Sequence, residues 1–393
     1  MKQAFRFSVA FDARHLTSKV LRGMDRYTIG LIRGLINQGV DITLFHRACE
    51  PLNTAHIEHL GCAVVGLKDC CGLHWEQIVV PLALLYGRFR LYHAPAERGV
   101  PLLAPCPVVF TIHSATAHSY YEFVRNGILP GNVKDYLGYD FNPHRRNFWS
   151  LLFKLQLARA SHILVPSDFC RNEVIRFLNI SPGRVTTTHL GIPEQFEAPP
   201  RPEDERDGML ERMGVKKPYL LYVGGYEPHK NAAGLLRSFA IVKQNRPDLM
   251  LVMVGSKSIP HALNQEALAL NLRLNQDVVF LVDLTEELVD LYDLAELFVT
   301  LSWRESFCLP ALEAMSRGVP VIGSKMGAFP EIAGNAGQFV DPCNYSEAAG
   351  VILKMLEPSE RQSFSYLARQ RAQHFTWEKA AKDTLGIYES LLR

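Results

Sequence analysis

A chain of 393 residues, 48% apolar and 21% charged, is too long for one ordinary core and too apolar to be disordered. It predicts two globular domains of roughly 200 residues each. The net charge of +2 resolves into +8 over residues 1–190 and −6 over residues 191–393, and eleven of the fourteen histidines fall in the first half. A basic first half suits an anionic partner such as a lipid phosphate or a membrane surface, with a chance asymmetry of solvated faces as the alternative. No nucleic-acid partner is expected.

The eight cysteines show no CxxC or CxxH spacing, so neither a metal knot nor a disulfide framework is expected and a reducing compartment is. The N-terminal apolar run is too short for a signal peptide and Asp12 interrupts it. The most apolar stretch, 78–87, contains Pro81 and falls well short of the roughly 20 residues a membrane span needs. The expectation is a cytoplasmic protein with at most peripheral contact at the inner face of a membrane.

In chain order, FRFSVAFDA, VDITLFH, CAVVGL, RLYHA, PVVFTIHS and HILVPS read as strands, and YTIGLIRGLINQG and RRNFWSLLFKLQLARA as helices. The second helix is basic and aromatic enough to lie on a membrane, but packing against the sheet just before HILVPS explains it better. Residues 196–217 are rich in proline and charge and read as a linker. Beyond them PYLLYVGG, LMLVMVG, VVFLVDL, LFVTLSW and PVIGS are apolar strands, separated by the helical patterns NAAGLLRSFAIVKQ, TEELVDLYDLA and LPALEAMSRG. Apolar strands alternating with helices imply parallel sheets covered on both faces. The expected architecture is α/β, with two Rossmann-like domains facing each other across a cleft. The first spans 1–195 and the second 218–374. Residues 375–393 form a final helix that could cross back to the first domain.

Residues 302–318, SWRESFCLPALEAMSRG, carry the most chemistry. A strand ends near Ser302, Pro310 suits the first turn of a helix and Gly318 its stop. The backbone N–H groups of Phe307, Cys308 and Leu309 at that helix start form an anion site, flanked by the carboxylates of Glu305 and Glu313. Phosphates and hydroxyls on one ligand would suit such a site. The plainer alternative pairs Glu313 with Arg317 on the helix face and leaves Glu305 solvated.

The run from Glu305 to Glu313, followed by Ala314-Met315 and GVPVIGS, resembles the Glu-x7-Glu signature of family 4 retaining glycosyltransferases. The resemblance continues through AGNAGQFVDP (333–342) and FTWEKAA (375–381). Ser306 and Cys308 stand where that family usually has glycine. The resemblance implies a GT-B fold and metal-independent transfer of a sugar from a nucleotide-diphosphate donor. The acceptor would be a glycan, a lipid-linked molecule or a small molecule. It places Glu313 on the donor ribose, Glu305 on the sugar, and Ser306 to Leu309 on the diphosphate.

In LYVGGYEPHKN (221–231), Gly224-Gly225 end a strand, Asn231 is a candidate cap for the next helix, and Lys230 beside it can neutralise a leaving diphosphate. The same family commonly shows P-x-K-N here and an Arg at the position of Gly225, which leaves Lys230 as the main cation, with His229 as a helper. In the first half, Gly23-Met24-Asp25-Arg26-Tyr27 resembles the family's glycine loop. Gly23 is expected to let the backbone approach the donor, while Asp25 replaces a glycine and reads as an N-cap for a helix starting at Arg26. His113, closing VVFTIHS, matches the family's histidine against the donor sugar, with Ser114 in place of Asp. No D-x-D motif occurs, so helix dipole and Lys230 are expected to replace a metal. Two alternatives share the architecture, a nucleotide-sugar 2-epimerase and a non-catalytic nucleotide-sugar binder. A dehydrogenase is disfavoured because no G-x-G-x-x-G follows an early strand.

Overall fold

The structure, a computed structural model, describes residues 7–18, 21–53, 56–96, 98–129, 132–134, 141–143, 148–255, 261–284 and 286–393. The chain divides into two compact units, one of residues 1–191 with 376–393 and the other of residues 192–375.

The first unit holds a seven-stranded sheet among its described residues, in the order β3-β2-β1-β4-β5-β6-β7. Its strands are β1 (Ser8–Asp12), β2 (Asp41–Arg47), β3 (Ala63–Leu67), β4 (Leu91–Ala94), β5 (Val108–Thr111), β6 (His162–Val165) and β7 (Val185–Thr187), paired in parallel. β4 and β5 are fully buried, and their sequences are apolar except for His93 and Thr111, which bond to each other. β7, VTT, is too short and polar to stand out by periodicity. The helices of this unit include α1 (Gly23–Asn37), α2 (Val80–Tyr86) and α3 (Phe148–Arg159). Residues 145–147, the start of the expected basic helix, lie outside the described residues.

Among its described residues the second unit carries a six-stranded parallel sheet ordered β10-β9-β8-β11-β12-β13. It comprises β8 (Tyr219–Val223), β9 (Met250–Gly255), β10 (Val278–Val282), β11 (Leu297–Thr300), β12 (Val321–Ser324) and β13 (Gly337–Val340). Helix α4 (Ala232–Asn245) follows β8, and α5 (Leu309–Ser316) follows β11. Leu235, Leu236, Phe239 and Val242 of α4 are buried in one core with Leu251, Met253, Leu297 and Val299 of the strands. The stretch expected as a linker is partly helical, from Glu203 to Met213. Three acidic residues in the first turn favour the helix dipole there, and Met209 and Leu210 supply a small buried face.

The last helix, α6 (Trp377–Leu392), packs within the first unit on α1. Gly30 and Gly34 lie one turn apart on α1, and a Cβ at either would run into Trp377, with Ala381 also in the way at Gly34. Small residues at that spacing let the indole lie against the helix backbone. Among the described residues no helix is long and apolar enough to cross a membrane.

Candidate functional site

The ends of β8 and β11 bring together the segments that sequence reading had singled out separately. After β8 the chain passes Gly224-Gly225, makes a short turn over Pro228–Lys230 and enters α4. After β11 it runs through Ser302–Cys308 into α5, with Pro310 in the first turn. These strands are neighbours in the sheet, so the two loops meet. The Trp303 N–H donates to the His229 carbonyl (2.8 Å). The Lys230 ammonium donates to Glu305 Oε1 (2.9 Å) and Oε2 (3.0 Å).

This ion pair is mostly buried. Burial works to lower the Lys230 pKa, yet the Glu305 charge and hydrogen bonds prevail and raise it. Burial likewise works to raise the Glu305 pKa, and Lys230, helped by Ser302, brings it below the usual carboxylate range. Both groups stay charged at neutral pH. An ammonium has three N–H donors, and both hydrogen bonds of Lys230 run to the one carboxylate of Glu305. Beside them His229 is pushed down to about 4 by burial and by the Lys230 charge, so it stands neutral.

Phe307, Cys308 and Leu309 are buried by their side chains, so what they can offer a ligand is main chain. Phe307 meets Phe375 edge-on at 5.9 Å. Ser306 accepts a hydrogen bond from Arg304 Nη1 (2.9 Å). Cys308 is the N-cap of α5 with φ 72°, the left-handed region that favours glycine. Of the two positions where the family pattern has glycine, only 308 has this backbone need.

Glu313 is fully buried on α5, and Tyr292 donates its hydroxyl to Oε2 (3.0 Å). It is not the helix-surface partner of Arg317. That guanidinium pairs instead with Asp293 (2.6 and 2.7 Å) and caps the carbonyls of Phe196 and Ala198.

Asn231 sits at the N-cap of α4 but does not cap it with its side chain. Its left-handed backbone (φ 51°) turns the amide toward the carbonyls of Leu301 and Pro342, 3.0 and 2.9 Å away, tying three loops together. Sequence reading missed Tyr292, Gly327 and Ala328 as well. The Ala328 N–H donates to the Glu305 carbonyl (2.9 Å), and a Cβ on Gly327 (φ 74°) would strike the Glu305 backbone. A glycine followed by a helix start was the available signal. At Gly225, which accepts from the Tyr222 hydroxyl at 2.5 Å, a Cβ would meet the Glu227 carboxylate.

In the first unit, His113 follows β5. Its Nε2 donates to the Pro95 carbonyl (2.7 Å), and its ring meets Tyr27 edge-on at 4.9 Å. Burial pushes its pKa down to about 4. A carbonyl can only accept, so Nε2 carries the proton and Nδ1 is the acceptor of a neutral ring. Asp25 is not the N-cap. Helix α1 begins at Gly23, two residues before Asp25, and the Asp25 carboxylate accepts from the Arg22 N–H (2.9 Å) as the third residue of a capping box. Gly23 stands in open space, and a Cβ there would meet nothing within 4 Å. Within this unit no described neighbour demands glycine at that position.

Two parallel-sheet units, the second with loops meeting at its strand ends, define the GT-B class of fold. Residues 21–196 match the model described as Glycosyltransferase Family 4, and residues 211–371 the model described as Glycosyl transferases group 1. Together the matches take in most of the chain, which belongs to this family of glycosyltransferases. The O-antigen chain mannosyltransferase B of Escherichia coli is 32% identical over 240 residues, 60% of this chain and 62% of that protein. The serotype-specific mannosyltransferase WbdA of Escherichia coli is 27% identical over 408 residues, 96% of this chain and 47% of that protein. The chain thus spans less than two thirds of the length of either relative. Anabaena HepE, solved with UDP and glucose, superposes with a TM-score of 0.75 at 16% identity, covering 98% of this chain and all of that one.

Proposed function

We propose that the protein is a retaining glycosyltransferase that takes a sugar from a nucleotide-diphosphate donor without a metal. The observation that carries this reading is the Lys230–Glu305 pair beside the start of α5. An ammonium held by a carboxylate faces a helix N-terminus, which suits a ligand with a diphosphate at one end and hydroxyls at the other. As the anomeric C–O bond to the diphosphate breaks, negative charge grows on the leaving oxygen, and Lys230 and the main chain of Ser306–Leu309 meet it. Glu305 accepts from hydroxyls of the sugar. Gly225 shapes the turn that carries Lys230. Glu313 takes the ribose, with Tyr292 giving up its hydrogen bond as the donor binds. His113 and Gly23 are the further sugar and diphosphate contacts that the family resemblance implies, and the acceptor oxygen bonds to the anomeric carbon on the face that the leaving group vacates, its proton passing to the departing diphosphate oxygen.

The experiment is a thermal-shift screen over UDP-, GDP-, ADP- and dTDP-sugars. It is followed by an assay of nucleoside diphosphate release with and without a glycan or lipid-linked acceptor, and by NMR of the product's anomeric configuration. Acceptor-dependent release with a retained anomer is the expected result. Release without acceptor, accompanied by a C2-epimerised sugar, would give the site to an epimerase. Donor binding with no turnover on any acceptor would give it to a binding protein.

A further inference from the structure

A chain of hydrogen bonds runs through the core of the first unit and ends beside His113. The Tyr388 hydroxyl of α6 is bonded to His93 Nδ1 on β4 (2.5 Å). His93 Nε2 is bonded to the Thr111 hydroxyl on β5 (2.7 Å), and that hydroxyl to the Tyr27 hydroxyl on α1 (3.0 Å). The Tyr27 ring meets the His113 ring edge-on at 4.9 Å, and the Trp377 ring of α6 lies 6.4 Å from it. Helix α6 thus reaches Tyr27 twice, through Trp377 at its start and through the bonds from Tyr388 near its end.

Tyr388, His93, Thr111 and Tyr27 are all buried to within 1%. Apolar side chains of similar shape could fill these positions at little cost, since removing both partners of a buried hydrogen bond is nearly neutral for stability. What a satisfied buried network adds is one definite arrangement of its members. Burial keeps the His93 imidazole neutral. Whichever of its nitrogens donates, the other accepts, so the ring joins Tyr388 to Thr111 in one sense only.

Thr111 and His113 are two positions apart at the end of β5, so their side chains fall on the same side. Tyr27 can therefore be bonded to the first and lie against the second. His113 itself makes one side-chain hydrogen bond, from Nε2 to the Pro95 carbonyl (2.7 Å), and its Nδ1 has no partner among the described residues. A single hydrogen bond leaves an imidazole free to tilt. The Tyr27 ring, pinned at its hydroxyl by Thr111, restricts that tilt.

We propose that Tyr388, His93, Thr111 and Tyr27 are positioning residues, through which the C-terminal helix sets the orientation in which His113 presents Nδ1 to the donor sugar. This rests on the reading of His113 as a sugar contact.

The first test is NMR of the full chain labelled with 15N-histidine, with Tyr388→Phe and Tyr27→Phe as variants that keep the rings and His113→Gln to assign the His113 signals. The wild type should show a neutral His113 protonated at Nε2. Both variants should shift its signals toward a mixture of tautomers, while His162, on β6 and outside the chain of bonds, stays unchanged. His113 signals that neither variant moves overturn the proposal, as does equal movement at His162, which would be a general loosening of the unit. The second test is nucleoside diphosphate release from whichever of the UDP-, GDP-, ADP- and dTDP-sugars the thermal-shift screen selects. Tyr388→Phe should lower kcat by about 10- to 100-fold and move the donor KM much less. In the His113→Gln background it should cost nothing further. A wild-type kcat in Tyr388→Phe, or an undiminished loss in the His113→Gln background, overturns the proposal and leaves His113 its role. A wild-type kcat in His113→Gln overturns the reading of His113 itself, and the proposal with it.

Discussion

Lys230 and Glu305, 75 residues apart in sequence, are joined by hydrogen bonds of 2.9 and 3.0 Å from one ammonium to both carboxylate oxygens. The pair fixes where the cation stands before any ligand arrives. Lys230→Ala should lower kcat by about 10²–10³ with little change in KM, because an interaction strongest with the developing charge acts on turnover. Lys230→Arg should rescue only in part, since a planar fork does not reproduce a compact ammonium at the same depth. A wild-type kcat in Lys230→Ala would make this an ordinary structural ion pair.

Glu313→Ala combines two effects. Removing a buried acceptor leaves the Tyr292 hydroxyl without this partner, which should cost about 1–3 kcal/mol of stability by denaturant titration. Under the proposed ribose contact, calorimetry should also show nucleoside diphosphate binding weaker by about 2–4 kcal/mol. A variant that loses stability but keeps its affinity would confine Glu313 to the core.

At Cys308 the backbone and side chain have opposing demands. Cys308→Gly relieves a left-handed residue but forfeits a buried thiol and adds chain entropy, so stability should move by no more than about 1 kcal/mol. Cys308→Val, β-branched at a positive φ, should cost more than about 2 kcal/mol. Equal melting temperatures for the two variants would contradict the left-handed conformation at this helix start.

Acid should weaken the first unit through its buried histidines. His93, fully buried between Tyr388 and Thr111, is pushed down to about 3, and His113 to about 4, in both cases chiefly by burial. The unfolded chain therefore binds more protons than the folded one between these values and the ordinary histidine pKa near 6.5. Stability should be complete above about pH 6.5 and fall as pH drops toward 4, by up to about 3 kcal/mol for each histidine. His93→Gln should flatten that slope in a pH series of denaturation curves. A slope identical to wild type would show that His93 does not carry it.

EDTA should leave transfer unaffected if Lys230 and the α5 start carry the leaving-group charge. A rate that falls more than about tenfold and returns with magnesium or manganese would assign that charge to a metal.

The strands and helices nearest the Lys230 and Glu305 loops were legible from the chain because their periodicity is local. LFVTLSW and LPALEAMSRG each contain enough apolar residues in register to declare a strand and a helix. Short polar β7 and the helix inside the expected linker were not legible, since each depends on neighbours that the local pattern does not show. The resemblance to family 4 named Glu305, Glu313 and Lys230, but not how they relate. Only the parallel pairing of β8 with β11 decides that Lys230 and Glu305 meet. Only packing buries Glu313 under the Tyr292 hydroxyl and sends Arg317 to Asp293. Residue types are chosen one position at a time, whereas partners far apart in the chain are chosen by sheet order. The same holds for Cys308: the sequence shows a cysteine where the family pattern it resembles has glycine, and the left-handed turn that makes the difference matter exists only in the folded loop.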